Sequence, residues 1–554
     1  MIKFFFKRTN FALFAILLLT IKFSVIANTP ERVKPRVIAT TDGELDDKSS
    51  MVRFLMYASD YDIIGIVQVA SNAQPNGHSA EEWIEADIDK YATVLPNLKI
   101  HKPDYPEATY LKSVVVVGNE NKNDLTKTPP NMSTKDTPGS QLIIDALLDS
   151  DLRPVHILHW GGSITTAYAF YKLKTSYTKA QYDYAVSKAR VYCIWYQDTG
   201  GQWIQDNIPE VKIYQAGYPL RNGSWRYVWD YYSVDLKKNK VMSSNPKDIQ
   251  VLMDTQWMTT NIKTNHGELG AAYSQSYTSE GDSPSFMPLI DNGLQQDTDY
   301  TIGGWGGRPV YETVGENHLV DGADDSLGVA SMHRTFHRWL CAVQNDWASR
   351  ADWCVTTTYA GANHQPIAKV KGEVLRQVMP GQTVTLDASE SSDPDGNTLS
   401  YKWWQYFEAD NAMTKLMINN STSVDNASFV VPNELGKQLH VILEVTDNGT
   451  PVLTRYQRII FNITNEAAGL SKTAGRNLII YPNPVTDQLR IVVSASYLDN
   501  SIVRMYDVYG KIVLKQKLSN AENVFEIRNL PAGIYLVAVN NNFGKVVSKK
   551  IIKN

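Results

Sequence analysis

The sequence predicts an α/β domain built on a mostly parallel open sheet, followed by two β-sandwich domains. Three observations carry this. Apolar strand-like runs alternate with helix-like runs from about Val33 to Gly361. From about Asn363 to Ile463, and again from Leu478 onward, short alternating runs are separated by turn residues. Strand and helix in alternation argue for parallel pairing with both faces covered, whereas short, closely spaced strands argue for sandwiches.

The first segment, Met1 to Ala27, has a basic start (Lys3, Lys7, Arg8), an apolar stretch from Phe11 to Leu19 and a small-residue exit at Val25-Ile26-Ala27. This predicts a secretory signal peptide cleaved after Ala27, because the apolar stretch is shorter than the roughly 20 residues that span a bilayer. The predicted domains are then 33–361, 363–463 and 476–554. No later run is long and apolar enough to cross a membrane, so the mature chain is expected outside the cytoplasm, soluble or attached to the surface.

Within the α/β domain, Arg36-Val37-Ile38-Ala39-Thr40-Thr41 reads as a buried strand. Lys48 to Ala58 reads as a helix with Met51, Phe54, Leu55 and Ala58 on one face. Further strands are expected at Asp62 to Val69, Pro154 to Trp160 and Arg190 to Trp195, and helices over 80–95 and 162–174. In the sandwich that follows, Gln382 to Ser389, Leu399 to Trp404 and Leu439 to Asp447 are strand candidates, and the pair Trp403 and Trp404 suggests one core ring and one exposed ring.

Composition narrows the function classes. The chain has 554 residues, a formal charge of −4 and a pI near 6.2, which offers no basic face for nucleic acid. Its 30 Tyr and 13 Trp supply rings of the kind that stack on sugars, although most such rings serve packing. Three cysteines exclude a disulfide scaffold and show no zinc spacing. Cys193 lies in an apolar run and reads as a buried strand residue, while Cys341 and Cys354 have the option of pairing in an oxidising compartment.

The chemistry is expected where the first strand meets the first helix. There Asp42-Gly43-Glu44-Leu45-Asp46-Asp47 crowds carboxylates at a strand's carboxyl end, where open α/β sheets bind ligands. Clustered carboxylates repel unless a proton or cation intervenes, and an all-oxygen set suits Ca2+ or Mg2+. The plainer alternative is a solvated acidic turn capping a helix. Other polar loops follow the other strands: Asn72, Gly161 to Thr166, and Gln197 to Gly201. Later come His266-Gly267-Glu268-Leu269-Gly270, Glu280 to Phe286, and Gly303 to Arg308.

In this order the pieces resemble the nucleoside-hydrolase fold, whose first strand ends in an Asp-Pro-Gly-x-Asp-Asp signature that binds Ca2+ and activates water. Asp42, Asp46 and Asp47 match its carboxylates, with Gly43 and Glu44 in place of Pro-Gly. A closer resemblance is to cellulose-binding proteins with a nucleoside-hydrolase-like domain and an immunoglobulin-like C-terminal domain. It is carried by Thr41 to Asp47, Trp160-Gly161-Gly162, His266-Gly267-x-Leu269-Gly270, Glu280-Gly281-Asp282-x-Pro284-Ser285-Phe286 and Gly304-Trp305-Gly306-Gly307-Arg308. Ser391-Ser392-Asp393-Pro394-Asp395-Gly396-Asn397 resembles the turn of a polycystic-kidney-disease-type repeat. At the far end Tyr481-Pro482-Asn483-Pro484, Leu530 to Leu536 and the basic tail from Lys549 resemble the C-terminal sorting domain of the type IX secretion system, which implies export by that machinery to the surface or medium.

The resemblance implies Ca2+ held by Asp42, Asp47, Asp282 and the backbone carbonyl of Ile164, with Asp46 as the base that takes a proton from water. Candidate substrate contacts are Asn72, Trp160, Asp198, His266, Glu280, Trp305 and Arg308, with Trp160, Trp195 and Trp305 walling a sugar. The His-Asp pair of nucleoside hydrolases is absent as such, and Asp282 is the candidate for its carboxylate. Two readings stand. The first is a secreted metal-dependent glycosyl hydrolase acting on a sugar-containing substrate, favoured by the acidic residues. The alternative is a polysaccharide-binding surface protein that keeps the fold without catalysis.

Overall fold

The computed structural model describes residues 33–217, 251–274, 280–465 apart from positions 314, 327 and 333, and most of 478–553. The expected signal peptide, residues 482–484 of the Tyr-Pro-Asn-Pro motif and the turn at Tyr509-Gly510 lie outside the described residues.

The α/β domain is organised by one eight-stranded sheet. Its strands are β1 (Arg36–Thr41), β2 (Asp62–Gln68), β3 (Val115–Val117), β4 (Val155–His159), β5 (Ala189–Ile194), β6 (Lys212–Ala216), β7 (Pro309–Tyr311) and β8 (His318–Asp321), in the order β3-β2-β1-β4-β5-β6-β8-β7. All neighbours pair in parallel except the edge strand β7, which runs antiparallel to β8. Every residue of β1 is buried, as a central strand covered on both faces requires. Val37 and Ala39 face one core with α1 (Leu45–Met56), α2 (Trp83–His101) and the helix Leu340–Trp353. Ile38 faces the other core, with Ile143 and Phe170 on helices Pro138–Leu148 and Ile164–Ser176.

Chain order places the crevice. From β1 the chain steps outward through β2 to β3 and then returns to β4 on the other side of β1. The direction of winding therefore reverses between β1 and β4, and the loops leaving their carboxyl ends part to leave a cleft. Those loops begin at Asp42 and Trp160. α2 runs through Pro96 to His101, beyond the expected end at residue 95, because Leu98 and His101 remain buried against the core.

The second domain pairs a sheet of β11 (Leu375–Val378), β16 (Thr454–Ile463), β15 (Gln438–Thr446) and β13 (Ser400–Gln405) with the two strands β12 (Thr383–Leu386) and β14 (Ala427–Val430); β9 and β10 are a short hairpin at Asp324–Ser326 and Val329–Ser331. Leu386, Trp403, Phe429, Leu443 and Phe461 form its core. Trp404 is not the exposed ring its position suggested. It is half-buried against Trp339 and Tyr406, where the two domains meet. Buried Arg458 donates to the carbonyls of Leu294 at 2.9 Å and Gly303 at 2.7 Å across the same junction.

The last domain has sheets β17-β18-β21 and β20-β19-β22-β23, from β17 (Leu478–Tyr481), β18 (Gln488–Val493), β19 (Ile502–Tyr506), β20 (Ile512–Lys517) and β21 (Glu522–Glu526) to β22 (Gly533–Asn540) and β23 (Val546–Lys553). They share a core of Ile491, Val503, Phe525 and Val537. No helix among the described residues is long and apolar enough to cross a membrane.

No disulfide joins Cys341 and Cys354. They sit at opposite ends of one helix, separated by roughly 20 Å of axial rise, far beyond disulfide reach. Cys193 is buried in β5 beside His159, with Nδ1 3.2 Å from Sγ, and burial pushes the thiol well above its ordinary pKa while holding His159 neutral at about 3. Neither group is a nucleophile in this state.

Candidate metal centre

β1 ends at Thr41, and the turn Asp42-Gly43-Glu44 redirects the chain into α1. Gly43 has φ +79°, and a β-carbon there would also press on His78 and Trp83, so the turn depends on glycine. Asp46 and Asp47 occupy the first turn of α1, where the helix dipole favours negative charge. Asp47 Oδ1 accepts from Thr41 Oγ1 and, at 3.1 Å, from the Asp42 N–H; Asp42 Oδ1 accepts from the Glu44 N–H at 3.2 Å. These bonds aim the carboxylates inward.

A remote turn completes the cluster. Asp282 N–H donates to Ser50 Oγ of α1 at 3.3 Å, Ser285 Oγ donates to the Asp282 carbonyl at 2.7 Å, and Trp160 Nε1 donates to Ser285 Oγ at 2.8 Å. Carboxylate oxygens of Asp46, Asp47 and Asp282 lie within 4.8 Å of one another, and so do those of Asp42, Glu44 and Asp47. Asp42, Asp46, Asp47 and Asp282 are each at most 4% exposed.

Burial first, and the neighbouring carboxylates second, raise every one of these groups: Asp46 to about 8, Asp47 to about 7, and Asp42 and Asp282 well above the ordinary range. Oδ2 of Asp42 and Oδ2 of Asp282 are buried without a hydrogen-bond partner. An oxygen-only donor set with buried, unsatisfied acceptors fits a hard divalent cation such as Ca2+.

The sign of the resulting pH dependence follows directly. A carboxyl with a raised folded pKa stabilises the folded state below its unfolded pKa near 4, and that contribution is lost as pH rises through the folded value. The metal-free protein is therefore expected to lose stability between about pH 4 and 8 through Asp46 and Asp47. Ca2+ should offset that loss, so the gap in Tm between Ca2+-loaded and chelated protein widens with pH in scanning calorimetry.

Gly161 lies against this cluster. A β-carbon there would come within 2.7 Å of Asp42 Cβ and 3.0 Å of its backbone nitrogen, neither able to yield cheaply. Gly161→Ala is expected to cost roughly 1–3 kcal/mol of stability and, by displacing Asp42, to weaken Ca2+ binding at least tenfold in calorimetric titration.

Several other expected contacts are scaffold. Trp160 and Trp305 are buried, Trp160 against Phe54 and Phe286 and Trp305 beneath Arg455, so neither offers a ring to a sugar. Of the three tryptophans expected to wall the site, Trp195 alone keeps part of its surface exposed. Glu280 is consumed by a buried ion pair with Arg53, Arg308 bonds Asp324 at 2.6 Å, and His266 bonds Asp352 at 3.1 Å.

Asp198, raised to about 6 by burial, accepts from the N–H groups of Ile164 at 3.0 Å and Gly200 at 2.7 Å, pinning the loop after β4 rather than facing a ligand. Ile164 opens a helix, so its carbonyl meets the N–H four residues on with one of its two lone pairs. Asn72 is exposed after β2, its N–H donating to the Gln197 carbonyl; its neighbour Ser71 is the residue beside Asp42.

Glu44 and Arg53 were not expected at the site. Glu44 stands in the motif itself, and Arg53 shows in the sequence only as a lone charge among the apolar residues of α1.

Comparison with known proteins places this arrangement. The family model for the nucleoside hydrolase-like domain of cellulose-binding Sde182 matches residues 36–309, and that for the C-terminal domain of cellulose-binding protein Sde0182 matches 383–463. A solved structure of a nucleoside hydrolase-related hypothetical protein from Saccharophagus degradans, associated with carbohydrate metabolism, is 32% identical with a TM-score of 0.65. The match covers 78% of this chain and 100% of that one. The chain belongs to the cellulose-binding Sde182 family.

Beyond the two Sde182-family domains, a secretion system C-terminal sorting domain matches residues 479–554, which makes this member a secreted or cell-surface protein. The funoran endo-beta-hydrolase of Wenyingzhuangia aestuarii is 25% identical over 137 residues, 25% of this chain. The chain spans only 17% of that relative's length.

Proposed function

We propose that this protein binds polysaccharide outside the cell, with cellulose as the first candidate, through the cleft between β1 and β4 and with Ca2+ held in the carboxylate cluster. The observation that carries the reading is the pair of buried, unpartnered oxygens, Asp42 Oδ2 and Asp282 Oδ2, in an all-carboxylate pocket at that cleft. Asp42, Asp47 and Asp282 would hold the ion, which supplies Lewis-acid coordination for sugar hydroxyls. Trp195, half-buried after β5, keeps part of its ring surface for stacking. The family description, cellulose-binding, supports the ligand class.

Glycosyl hydrolysis is a second reading, favoured by Asp46. As an ionised carboxylate it would accept a proton from an attacking water. Against it, a carboxylate oxygen of Asp46 lies within 4.8 Å of oxygens of Asp47 and Asp282, which sets it among the cation-holding carboxylates rather than apart as a base.

The test is depletion of the full chain from solution by insoluble cellulose, with Ca2+ and after chelation. Retention that falls at least tenfold on chelation supports the reading. Retention indifferent to chelation, or no retention at all, overturns it.

A further inference from the structure

Two buried histidines meet where the α/β domain joins the sandwich. His101 ends α2, His364 opens the second domain, and His101 Nδ1 lies 2.9 Å from His364 Nε2. The outer nitrogen of each ring is taken as well. His101 Nε2 meets the Thr356 carbonyl at 3.2 Å, and His364 Nδ1 meets Asp395 Oδ1 at 2.9 Å. Asp395, in the turn from Ser391 to Asn397, also accepts from the His364 backbone N–H at 2.6 Å.

The donors and acceptors fix the proton count. A carbonyl and a carboxylate only accept, so His101 Nε2 and His364 Nδ1 each carry a proton, and the bond between the rings needs a third. Two imidazoles thus hold one proton more than a neutral pair, with Asp395 as the counter-charge. It sits on His364, the ring that faces the carboxylate, while burial first and His364 second lower the His101 value. Tyr359 stacks on His364 with centroids 3.7 Å apart and planes 5° apart, presenting a ring face that favours a cation.

The other titratable groups around the pair are committed. In the sandwich, Asp393 accepts from the Asp395 and Asn397 N–H groups at 2.9 Å, and Asp447 from Asn363 at 2.9 Å. In the α/β domain, Lys102 pairs with Asp60 at 3.4 Å and Asp352 with His266 at 3.1 Å, and burial raises the Tyr359 phenol and the Cys354 thiol.

We propose that His101 and His364 form a proton-held latch between the two domains, closed while the pair carries one extra proton and opened when alkaline pH removes it. With only two ring protons, either the rings face each other with lone pairs or one outer contact is lost. Free histidine gives up its proton at about pH 6.5, so a proton kept by the folded pair stabilises the fold below that value, and the contribution is lost as pH rises until the pair releases it.

Ring proton–nitrogen spectra of the full chain, labelled with nitrogen-15 histidine, test the count. At neutral pH they should show a doubly protonated ring that is absent from His364→Gln, and a neutral ring protonated at Nε2 that is absent from His101→Gln. A singly protonated His364 overturns the latch. In scanning calorimetry the Tm of wild type should exceed that of Asp395→Asn by roughly 2–4 °C at about pH 6, and the gap should close by about pH 9. The carboxylate cluster is common to both proteins, so its own pH dependence cancels in the gap. A gap that stays constant over that range overturns the latch, and the spectra decide independently should Asp395→Asn fail to fold.

Discussion

Arg53→Ala is expected to destabilise the α/β domain by roughly 3–5 kcal/mol, the usual cost of leaving one member of a buried ion pair without the other. Arg53 and Glu280 are both wholly buried, with contacts at 2.6 and 3.0 Å. The guanidinium also donates to Gln344 Oε1 at 2.9 Å and lies 3.6 Å from the centre of the Trp347 ring. Alanine removes all of these and leaves Glu280, among the described residues, with the Tyr273 and Ser283 hydroxyls as side-chain donors.

The pair joins α1 to the turn that carries Asp282, so Ca2+ affinity should fall together with stability. Replacing both partners by apolar residues, Arg53→Met with Glu280→Leu, should recover most of the loss. Chemical denaturation of the three proteins checks the order. An alanine variant within 1 kcal/mol of wild type would show that the pair contributes little.

Asp47→Asn is expected to act in opposite directions on stability and on binding. Burial and Asp46 push the Asp47 carboxyl up to about 7, so at pH 8 its ionised form weighs on the metal-free fold by on the order of 4 kcal/mol. Asparagine retains an oxygen for the bonds from Thr41 and the Asp42 N–H while removing the charge. The chelated variant should therefore be more stable than chelated wild type at pH 8 and close to it at pH 4.

Wild type should gain about 2.7 kcal/mol from Ca2+ at a hundredfold excess over Kd, and the variant should gain nothing. Calorimetric scans with and without Ca2+ read both effects. A variant destabilised at pH 8 in chelator would contradict the repulsion on which the site is argued.

The cluster was legible because four of its carboxylates fall within six residues and follow a strand with an apolar centre, Val37-Ile38-Ala39. A strand end and a helix start can be read locally, and their junction fixes where Asp42, Asp46 and Asp47 point. Other residues were misread because sequence does not distinguish a buried polar edge from an exposed one. Trp160 satisfies its indole N–H on Ser285 inside the core, Glu280 finds its ion-pair partner far along the chain at Arg53, and Arg308 pairs with Asp324 of the hairpin that follows. β3, β7 and β8 are only three or four residues long and acquire strand geometry from their neighbours rather than from pattern. Glu44 was read as a departure from a motif, although its carboxylate comes within 4.8 Å of those of Asp42 and Asp47.

Binding without cleavage is tested most directly by counting reducing ends released from cellulose by Ca2+-saturated protein under conditions where the chain is retained on the solid. The expected result is retention with no release above the protein-free blank. Steady release by the wild type that disappears in Asp46→Asn would contradict it and make the protein a hydrolase.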